Sequence, residues 1–172
     1  MLITPEQLER NRRHHERVGG EGVHKQAYGV SGWKWGDDVL DLAKEVGAST
    51  VLDYGAGKGT LEKHLSDLID IRSYDPITFP DTPEPADIVV CTDVLEFLGE
   101  CRGDVLTHIK ELARKAVFIA VPKHPKEKAE PGLTIESLDW WEELLAEYWP
   151  SYRCTRTTFG TPRLIFVARC KE

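Results

Sequence analysis

The chain has 172 residues, of which 41% are hydrophobic and 30% charged, and its formal net charge is −7. These values are typical of one soluble globular domain, and no apolar run approaches the roughly 20 residues that a membrane-spanning helix needs. The first 20 residues also lack the apolar core of a signal peptide. We therefore expect a cytoplasmic protein that makes no membrane contact.

The cysteines and histidines do not form a metal-binding pattern. The four cysteines are too widely separated for a paired metal knuckle and fit ordinary thiols of a reducing cytoplasm; they are Cys91, Cys101, Cys154 and Cys170. The six histidines show no metalloprotease-like spacing. The sequence therefore predicts no metal site.

The charge is unevenly distributed along the chain. Residues 31–110 contain 16 acidic and 7 basic residues, a net charge of −9, whereas residues 151–172 contain 1 acidic and 5 basic residues, a net charge of +4. A general nucleic-acid-binding protein carries a broad basic face, and the acidic central part argues against one. The basic C-terminal segment and the stretch "RNRRHHER" leave a local phosphate contact open. Solvated charge on a helix and on an edge hairpin is the favoured interpretation.

The N-terminal segment combines a helix with an aromatic loop. Thr4 followed by Pro5 is a typical helix start, and the pattern predicts a helix over residues 4–17. The glycine-rich loop that follows contains three aromatic residues, which indicates an ordered segment that covers something; they are Tyr28, Trp33 and Trp35. We expect residues 1–36 to form this helix and a lid, and residues 37–172 to form the main domain.

Strands and helices alternate from residue 37 onward. Apolar runs predict strands at 50–54, 71–75, 86–91 and 116–121, and helical periodicity predicts helices at 37–46, 60–68, 102–114 and 135–148. Two last strands, 152–158 and 163–170, flank a turn and are typical of an antiparallel hairpin. The alternation predicts an α/β fold with a mostly parallel, doubly wound sheet.

A glycine-rich turn, "VLDYGAGKGTL" at residues 51–61, joins the first strand to a helix. Its alternating glycines, Gly55, Gly57 and Gly59, let the backbone pass close to a ligand. We also expect free amide groups at the N-terminus of the helix that follows. A nicotinamide-dinucleotide fingerprint needs glycine at the sixth position, where this chain has Thr60. A Walker loop needs Ser or Thr after Gly-Lys, but Lys58 is followed by another glycine. Both phosphate-binding patterns therefore fit imperfectly.

An acidic residue, Asp53, precedes the alternating glycines, and Asp75 ends the second strand 22 residues later. The segment "ADIVVCTDVLEFL" follows at residues 86–98. With these three features the chain resembles the class I S-adenosylmethionine-dependent methyltransferases, over about residues 37–172. The last segment is similar to that family's fourth-strand segment, although Phe97 stands where the family usually has histidine.

The connection between Asp75 and Ala86 departs from the usual family pattern. Its ten residues, "PITFPDTPEP", include four prolines, so neither a crossover helix nor a third strand can fit. We predict a trimmed sheet of order 2-1-4-5-7-6 in the family's labels. This arrangement resembles short methyltransferases often encoded by bacterial viruses, but the chain has "EPGLTIESLDWW" where those commonly carry an Asp-Gly-Arg-Asn-Ala-His run.

The resemblance implies S-adenosylmethionine as the cofactor. Asp75 is placed to accept both ribose hydroxyls, and because it ends a strand we expect its removal to leave the fold intact. Asp53 is expected to order the glycine turn by hydrogen bonding. The implied cofactor-binding residues are Tyr28, Asp53, Tyr54, Gly55, Ala56, Gly57, Asp75, Pro76, Thr92, Asp93 and Val94, with Ile77 as an alternative to Pro76 at the adenine face.

Direct methyl transfer to an oxygen or nitrogen atom of a small molecule is the favoured function. A general base is needed only if the acceptor must lose a proton, and the candidates are Asp93, Glu96 and His124. Capping of the following helix is the alternative role of the two acids, and exposure in a loop that of the histidine. Loss of the two family histidines leaves any histidine-based step open.

Other aromatic and basic residues have weaker assignments. Tyr28 and Trp33 are candidates for a lid over the cofactor or for simple packing, and His24 and Lys25 for contact with the cofactor carboxylate. Three tryptophans are expected to be core and surface anchors rather than a base-stacking platform; they are Trp140, Trp141 and Trp149.

Two other functions stay open. The first is methylation of nucleic acid or nucleotides, although the Asn/Asp-Pro-Pro-aromatic motif of amino-methylating DNA enzymes is absent and "TDVLEF" occupies its position. The second is a non-catalytic module that binds S-adenosylmethionine.

Overall fold

The computed structural model describes residues 3–17, 31–124, 133–158 and 160–170 of the chain. Helix α1, Pro5–Arg17, begins where the sequence predicted, because the Thr4 hydroxyl accepts a hydrogen bond of 3.1 Å from the Gln7 amide. The buried Gln7 side chain donates to the Phe97 carbonyl oxygen at 2.6 Å. This bond attaches α1 to the main domain.

The described residues contain one six-stranded sheet. Its strands are β1 Thr50–Tyr54, β2 Asp70–Tyr74, β3 Ala86–Thr92, β4 Ala113–Pro122, β5 Tyr152–Thr157 and β6 Arg163–Arg169. Their order is β2-β1-β3-β4-β6-β5. The pairs among the first four strands are parallel, whereas β6 runs antiparallel to both β4 and β5. The predicted α/β class, with its antiparallel C-terminal hairpin, is confirmed.

The described residues contain four α-helices after α1: α2 Gly36–Val46, α3 Thr60–Leu65, α4 Arg102–Leu112 and α5 Leu138–Tyr148. Helix α3 is shorter than predicted because the chain turns at residues 66–68 toward β2. Helix α5 begins later than predicted because the Ser137 hydroxyl accepts a 3.1 Å hydrogen bond from the Trp140 amide and caps it there. None of the described helices is long and apolar enough to cross a membrane.

The connection from β2 to β3 is trimmed as the sequence predicted. Residues 76–85 form turns and irregular structure, and their one regular feature is a β-bridge between Asp75 and Phe79. Proline lacks the amide proton that strand pairing requires, which accounts for the missing strand. The observed sheet order is the predicted one, with the third family strand reduced to this bridge.

Strand β3 lies between two hydrophobic clusters and is buried at every residue. Val89 and Cys91 pack in the cluster that contains residues of α4 and α5, whereas Ile88 and Val90 pack in the cluster that contains residues of α2 and α3. This alternation follows from the two-residue period of strand side chains. Among the described residues, helices therefore cover both faces of the sheet at β3, and this strand can meet a ligand only at its end.

Packing of α5 can be tested at Leu145, which is completely buried in the first cluster. Leu145→Ala leaves a cavity and is expected to lower the free energy of unfolding by about 2 to 5 kcal/mol. Leu68→Ala is the matched control, because Leu68 is 66% exposed and its truncation should change stability by less than about 0.5 kcal/mol. Urea unfolding measures both values, and equal losses would contradict the placement of α5.

Candidate functional site

Four chain segments meet at the carboxyl edge of the parallel strands. Strand β1 leads into the glycine turn, β2 into Asp75, β3 into Asp93, and β4 into His124 two residues beyond its end. Open α/β sheets bind ligands at this edge. The structure thus brings together the predicted residues that follow the strands.

Packing within the chain requires two of the glycines in the turn. Gly55 has a φ of 83°, and a Cβ atom there would overlap the Val94 side chain. Gly59 has a φ of 64°, and a Cβ atom there would lie 2.9 Å from Cζ of Phe79. Side chains rarely adopt such left-handed backbone angles. The turn therefore packs closely against Val94, which follows β3, and Phe79, which follows β2.

The first amides of the turn are already hydrogen-bonded. Gly55 N and Ala56 N both donate to the Tyr74 carbonyl oxygen, at 2.7 and 3.0 Å, and Gly57 N donates to Oδ2 of Asp75 at 3.2 Å. These three amides hold the turn against the end of β2 instead of facing a phosphate group. The free amides were expected at the N-terminus of α3, which begins at Thr60, and that expectation stays a prediction.

Asp75 is a structural acceptor as well as a candidate ribose ligand. Its Oδ1 accepts hydrogen bonds from Ile77 N at 2.9 Å and Thr78 N at 3.2 Å, and its Oδ2 accepts the one from Gly57 N. The Thr78 hydroxyl in turn donates to the Gly57 carbonyl oxygen. Because a carboxylate offers about four acceptor positions, roughly one is left for a ribose hydroxyl. Removal of Asp75 should lower stability, since three amides would lose their acceptor, and an intact fold without Asp75 stays a prediction.

Asp53 lies buried at the end of β1, beside the turn, and its carboxylate has no hydrogen bond to any described residue. The expectation that it orders the turn by hydrogen bonding is therefore not met. Burial, and then the charges of Glu62 and Asp75, raise the pKa of Asp53 to about 7. A group with this pKa exchanges its proton near neutral pH.

Tyr54, the next residue, directs its side chain into the core. Its hydroxyl lies 3.0 Å from Nδ1 of His108 on α4, and its ring centroid lies 4.8 Å from that of Tyr74. Burial raises its pKa above the ordinary range. Only the main chain of Tyr54 can therefore meet a ligand at the strand ends.

Asp93 has a positive φ of 56° and takes part in a polar cluster. Its Oδ2 accepts a hydrogen bond from the Ser31 hydroxyl at 2.9 Å, and its Oδ1 lies 3.3 Å from Nε of Arg163. Sequence reasoning missed both partners. The available signal was the predicted hairpin, because an antiparallel last strand begins at the carboxyl edge, where Arg163 pairs with Pro122. With its oxygens occupied, Asp93 is less available to take a proton from a substrate.

Glu96 and His124 face each other beneath this edge. Glu96 is completely buried, and Oε1 lies 3.6 Å from Nε2 of His124, slightly beyond hydrogen-bond length. Burial raises the pKa of the Glu96 carboxyl. The His124 ring packs edge-to-face against Phe97, with 6.2 Å between centroids.

The remaining predicted residues divide into three groups. Tyr28, His24 and Lys25 lie outside the described residues, and Trp33 is 52% exposed, so the lid remains a prediction. Thr92 is buried at the end of β3, whereas Pro76, Ile77 and Val94 are half-buried beside the site. Trp141 and Trp149 are core residues and Trp140 is half-buried against the first cluster, in agreement with the expectation of anchors.

Within the described part of the chain, no cluster of side chains could hold a metal ion.

The raised pKa of Asp53 predicts that the stability of the protein depends on pH. The folded-state pKa is about 7 and the reference value is 3.8, so the folded protein binds more protons than the unfolded chain between these values. Its stability should therefore fall as the pH rises through this range. Asp53→Asn cannot ionise and should lack this fall.

Urea unfolding at pH 5 and pH 8 measures the difference. The wild type is expected to lose roughly 2 to 3 kcal/mol more than Asp53→Asn between the two pH values, at about 1.36 kcal/mol per pKa unit. Asp70→Asn, a change of an exposed aspartate on the neighbouring strand, is the control and should follow the wild type. A wild-type profile parallel to that of Asp53→Asn would contradict a raised pKa.

No protein-family model and no curated protein matches the chain, but solved structures do. The 1,6-didemethyltoxoflavin-N1-methyltransferase of Burkholderia thailandensis is similar over 97% of this chain and 88% of its own, with a TM-score of 0.67 and 16% identity. The N-methyltransferase NodS of Bradyrhizobium japonicum is similar over 92% of this chain and 98% of its own, with a TM-score of 0.60 and 12% identity. Magnesium protoporphyrin IX methyltransferase of Synechocystis is similar over 93% of this chain and 94% of its own, with a TM-score of 0.56 and 15% identity. These likenesses and the sheet order show that the chain has the fold of the class I S-adenosylmethionine-dependent methyltransferases.

Proposed function

We propose that this protein transfers a methyl group from S-adenosylmethionine to an oxygen or nitrogen atom of a small molecule by direct displacement. The observation that carries this proposal is the buried carboxyl group of Asp53, whose pKa is raised to about 7, beside a glycine turn whose first amides are already bonded. The choice of cofactor follows from the charge of this site.

A phosphate-bearing cofactor fits the turn poorly. Phosphate binding at a strand-to-helix turn depends on free amides and positive charge, but the Gly55, Ala56 and Gly57 amides are occupied and Asp53 and Asp75 are buried beside them. S-adenosylmethionine carries a sulfonium and an ammonium group and no phosphate. A cation favours the ionised form of a nearby carboxyl group, so it would stabilise Asp53 as a carboxylate.

The similar structures support the same cofactor. The toxoflavin-precursor and NodS enzymes were crystallised with S-adenosylhomocysteine, and the magnesium protoporphyrin enzyme was crystallised with S-adenosylhomocysteine and with S-adenosylmethionine. In this chain we assign the methionine portion to the backbone of Gly55 and Gly57, and one ribose hydroxyl to Asp75. Pro76 or Ile77 would meet the adenine, and Thr92, Asp93 and Val94 would border the acceptor.

A small-molecule acceptor fits the charge distribution better than nucleic acid does. Each arginine of the C-terminal hairpin is paired with a carboxylate: Arg153 and Arg169 with Glu45, Arg156 with Glu142 and Asp139, and Arg163 with Asp93. The hairpin therefore offers no free arginine to a phosphate backbone, although its net charge is positive. The names of the similar enzymes include a toxoflavin precursor and a protoporphyrin, both small molecules.

Methyl transfer places limited demands on the chain. The residues at the strand ends must hold the acceptor atom in line with the sulfur–methyl bond and exclude water, and positioning alone lowers the barrier by several kcal/mol. The close contact of Gly55 with Val94 narrows the gap between the turn and the β3 exit. These two segments would border the cofactor and the acceptor respectively.

Calorimetric titration with S-adenosylmethionine tests the cofactor assignment through Gly57. Its φ is 56°, close to the 61° of Gly47, which ends α2 and has no atom near an added Cβ. Alanine at either position carries a similar backbone cost of about 1 to 2 kcal/mol. We expect Gly57→Ala to weaken binding at least about tenfold, or 1.4 kcal/mol, and Gly47→Ala to bind like the wild type. Equal affinities of the two variants, or tight binding of NAD by the wild type, would overturn the assignment.

Asp75→Ala tests the ribose contact. Loss of a charge-assisted acceptor should weaken S-adenosylmethionine binding by at least about tenfold, and the free energy of unfolding should also fall because three backbone amides lose their partner. Asp75→Asn, which keeps one oxygen acceptor, should be intermediate. The exposed Asp70→Ala serves as the control. Affinities are compared at a temperature where every variant is folded, and wild-type affinity in Asp75→Ala would remove Asp75 from the cofactor site.

A further inference from the structure

Glu96 is a buried carboxyl group that makes no hydrogen bond with the described residues around it. It lies in the 3₁₀ turn Leu95–Phe97 after β3 and has no exposed surface. Neither carboxyl oxygen has a hydrogen-bond donor among the described residues. Buried polar side chains nearly always have partners, and an unpaired buried carboxylate is costly. A group kept in this state calls for a partner whose bond to it forms during function.

His124 is the partner that the geometry offers. Its Nε2 atom is buried, also lacks a hydrogen bond to any described residue, and lies 3.6 Å from Oε1 of Glu96. Catalytic hydrogen bonds are often this long before a substrate is bound. Arg102, at the start of α4, does not compete for Glu96, because it donates to the Leu95 carbonyl oxygen and the Thr134 hydroxyl and stacks on Trp140 and Trp141.

The ring of His124 directs one nitrogen toward the buried acid. Nε2 points to the buried acid, and the side chain as a whole is 20% exposed. Phe97 packs edge-to-face against the ring and restricts its rotation. With Nε2 directed to Glu96, Nδ1 is the nitrogen left for a molecule at the carboxyl edge of β3 and β4.

We propose that His124 is the general base for the methyl acceptor, acting through Nδ1, and that Glu96 is the positioning residue that holds a proton on Nε2. The inference rests on the proposed function and specifies its acceptor: a hydroxyl or N–H compound that must lose a proton, rather than a thioether or tertiary amine. Asp93 is the weaker candidate, because Ser31 and Arg163 occupy its oxygens.

The reaction balances without a further reactant. Nδ1 of His124 takes the proton of the acceptor as the acceptor atom bonds to the methyl carbon, and the sulfur–methyl bond breaks with its electron pair left on sulfur. The products are the methylated acceptor, the thioether and an imidazolium ion, which then releases its proton to water. Glu96 stabilises the imidazolium through the proton on Nε2, as a buried carboxylate does for a catalytic histidine.

The first test is spectroscopic and needs no acceptor. In ¹⁵N-labelled full-length protein without cofactor, we expect a slowly exchanging imidazole N–H resonance assigned to Nε2 of His124. It should persist in Glu96→Gln, which keeps an oxygen acceptor, and exchange at least about ten times faster in Glu96→Met, which removes the acceptor at similar volume. A wild-type Nε2 without a proton, or exchange unchanged in Glu96→Met, overturns the pairing.

The second test separates this inference from the proposed function. His124→Gln and Glu96→Gln should bind S-adenosylmethionine within about twofold of the wild type, as should His64→Gln, which changes an exposed histidine on α3. If the wild type does not bind the cofactor, the proposed function fails, while the resonance still decides the pairing. A loss of affinity above about tenfold in either site variant would place the pair in the cofactor site and overturn its role as a base.

The third test measures labelled methyl transfer to catechol, ethanolamine and imidazole as hydroxyl and N–H probes. His124→Gln should lower kcat by roughly 100-fold or more with little change in KM, and Glu96→Gln should lower it less. The His64→Gln control should match the wild type. Equal kcat values for the wild type and His124→Gln, on any probe that the wild type methylates, overturn the role of the histidine.

Discussion

Complete burial of β3 is the constraint that decides where this protein can bind a ligand. The strand has parallel neighbours on both edges and hydrophobic clusters on both faces, so each of its seven residues is inaccessible. Such a strand exposes chemistry only where it ends. The glycine turn, Asp75, Asp93 and His124 form the candidate site because each follows a strand at this one edge.

The buried acids of the site fall into two kinds. Asp75 accepts hydrogen bonds from three amides, which join the glycine turn to the end of β2 and leave about one acceptor position. Asp53 is buried and has a raised pKa, and Glu96 is buried with neither oxygen hydrogen-bonded to a described residue. Burial without compensation costs folding free energy, and it leaves negative charge available to an incoming partner. A cationic cofactor would favour the ionised form of Asp53. A protonated imidazole would be the hydrogen-bond donor to Glu96.

The trimmed connection is part of the site and more than a deletion. With the helix and strand absent, residues 76–79 fold back directly onto the glycine turn. Thr78 then donates to the Gly57 carbonyl oxygen, and the Phe79 ring fills the space next to Gly59. The short loop therefore supports the glycine turn with the side chains of Thr78 and Phe79.

Local patterns in the sequence were sufficient for the elements and their order, because strand and helix periods, caps and prolines act over a few residues. Thr4 marked the start of α1, and the prolines of residues 76–85 excluded a third family strand. The partners of the site residues were not predictable in this way. Asp93 meets Ser31 and Arg163, which lie 62 and 70 residues away, and Asp53 lacks the hydrogen bond that was expected of it. Only the sheet order brings such distant groups to one edge, and only burial there decides whether a carboxyl group finds a donor, keeps its proton or remains unpaired.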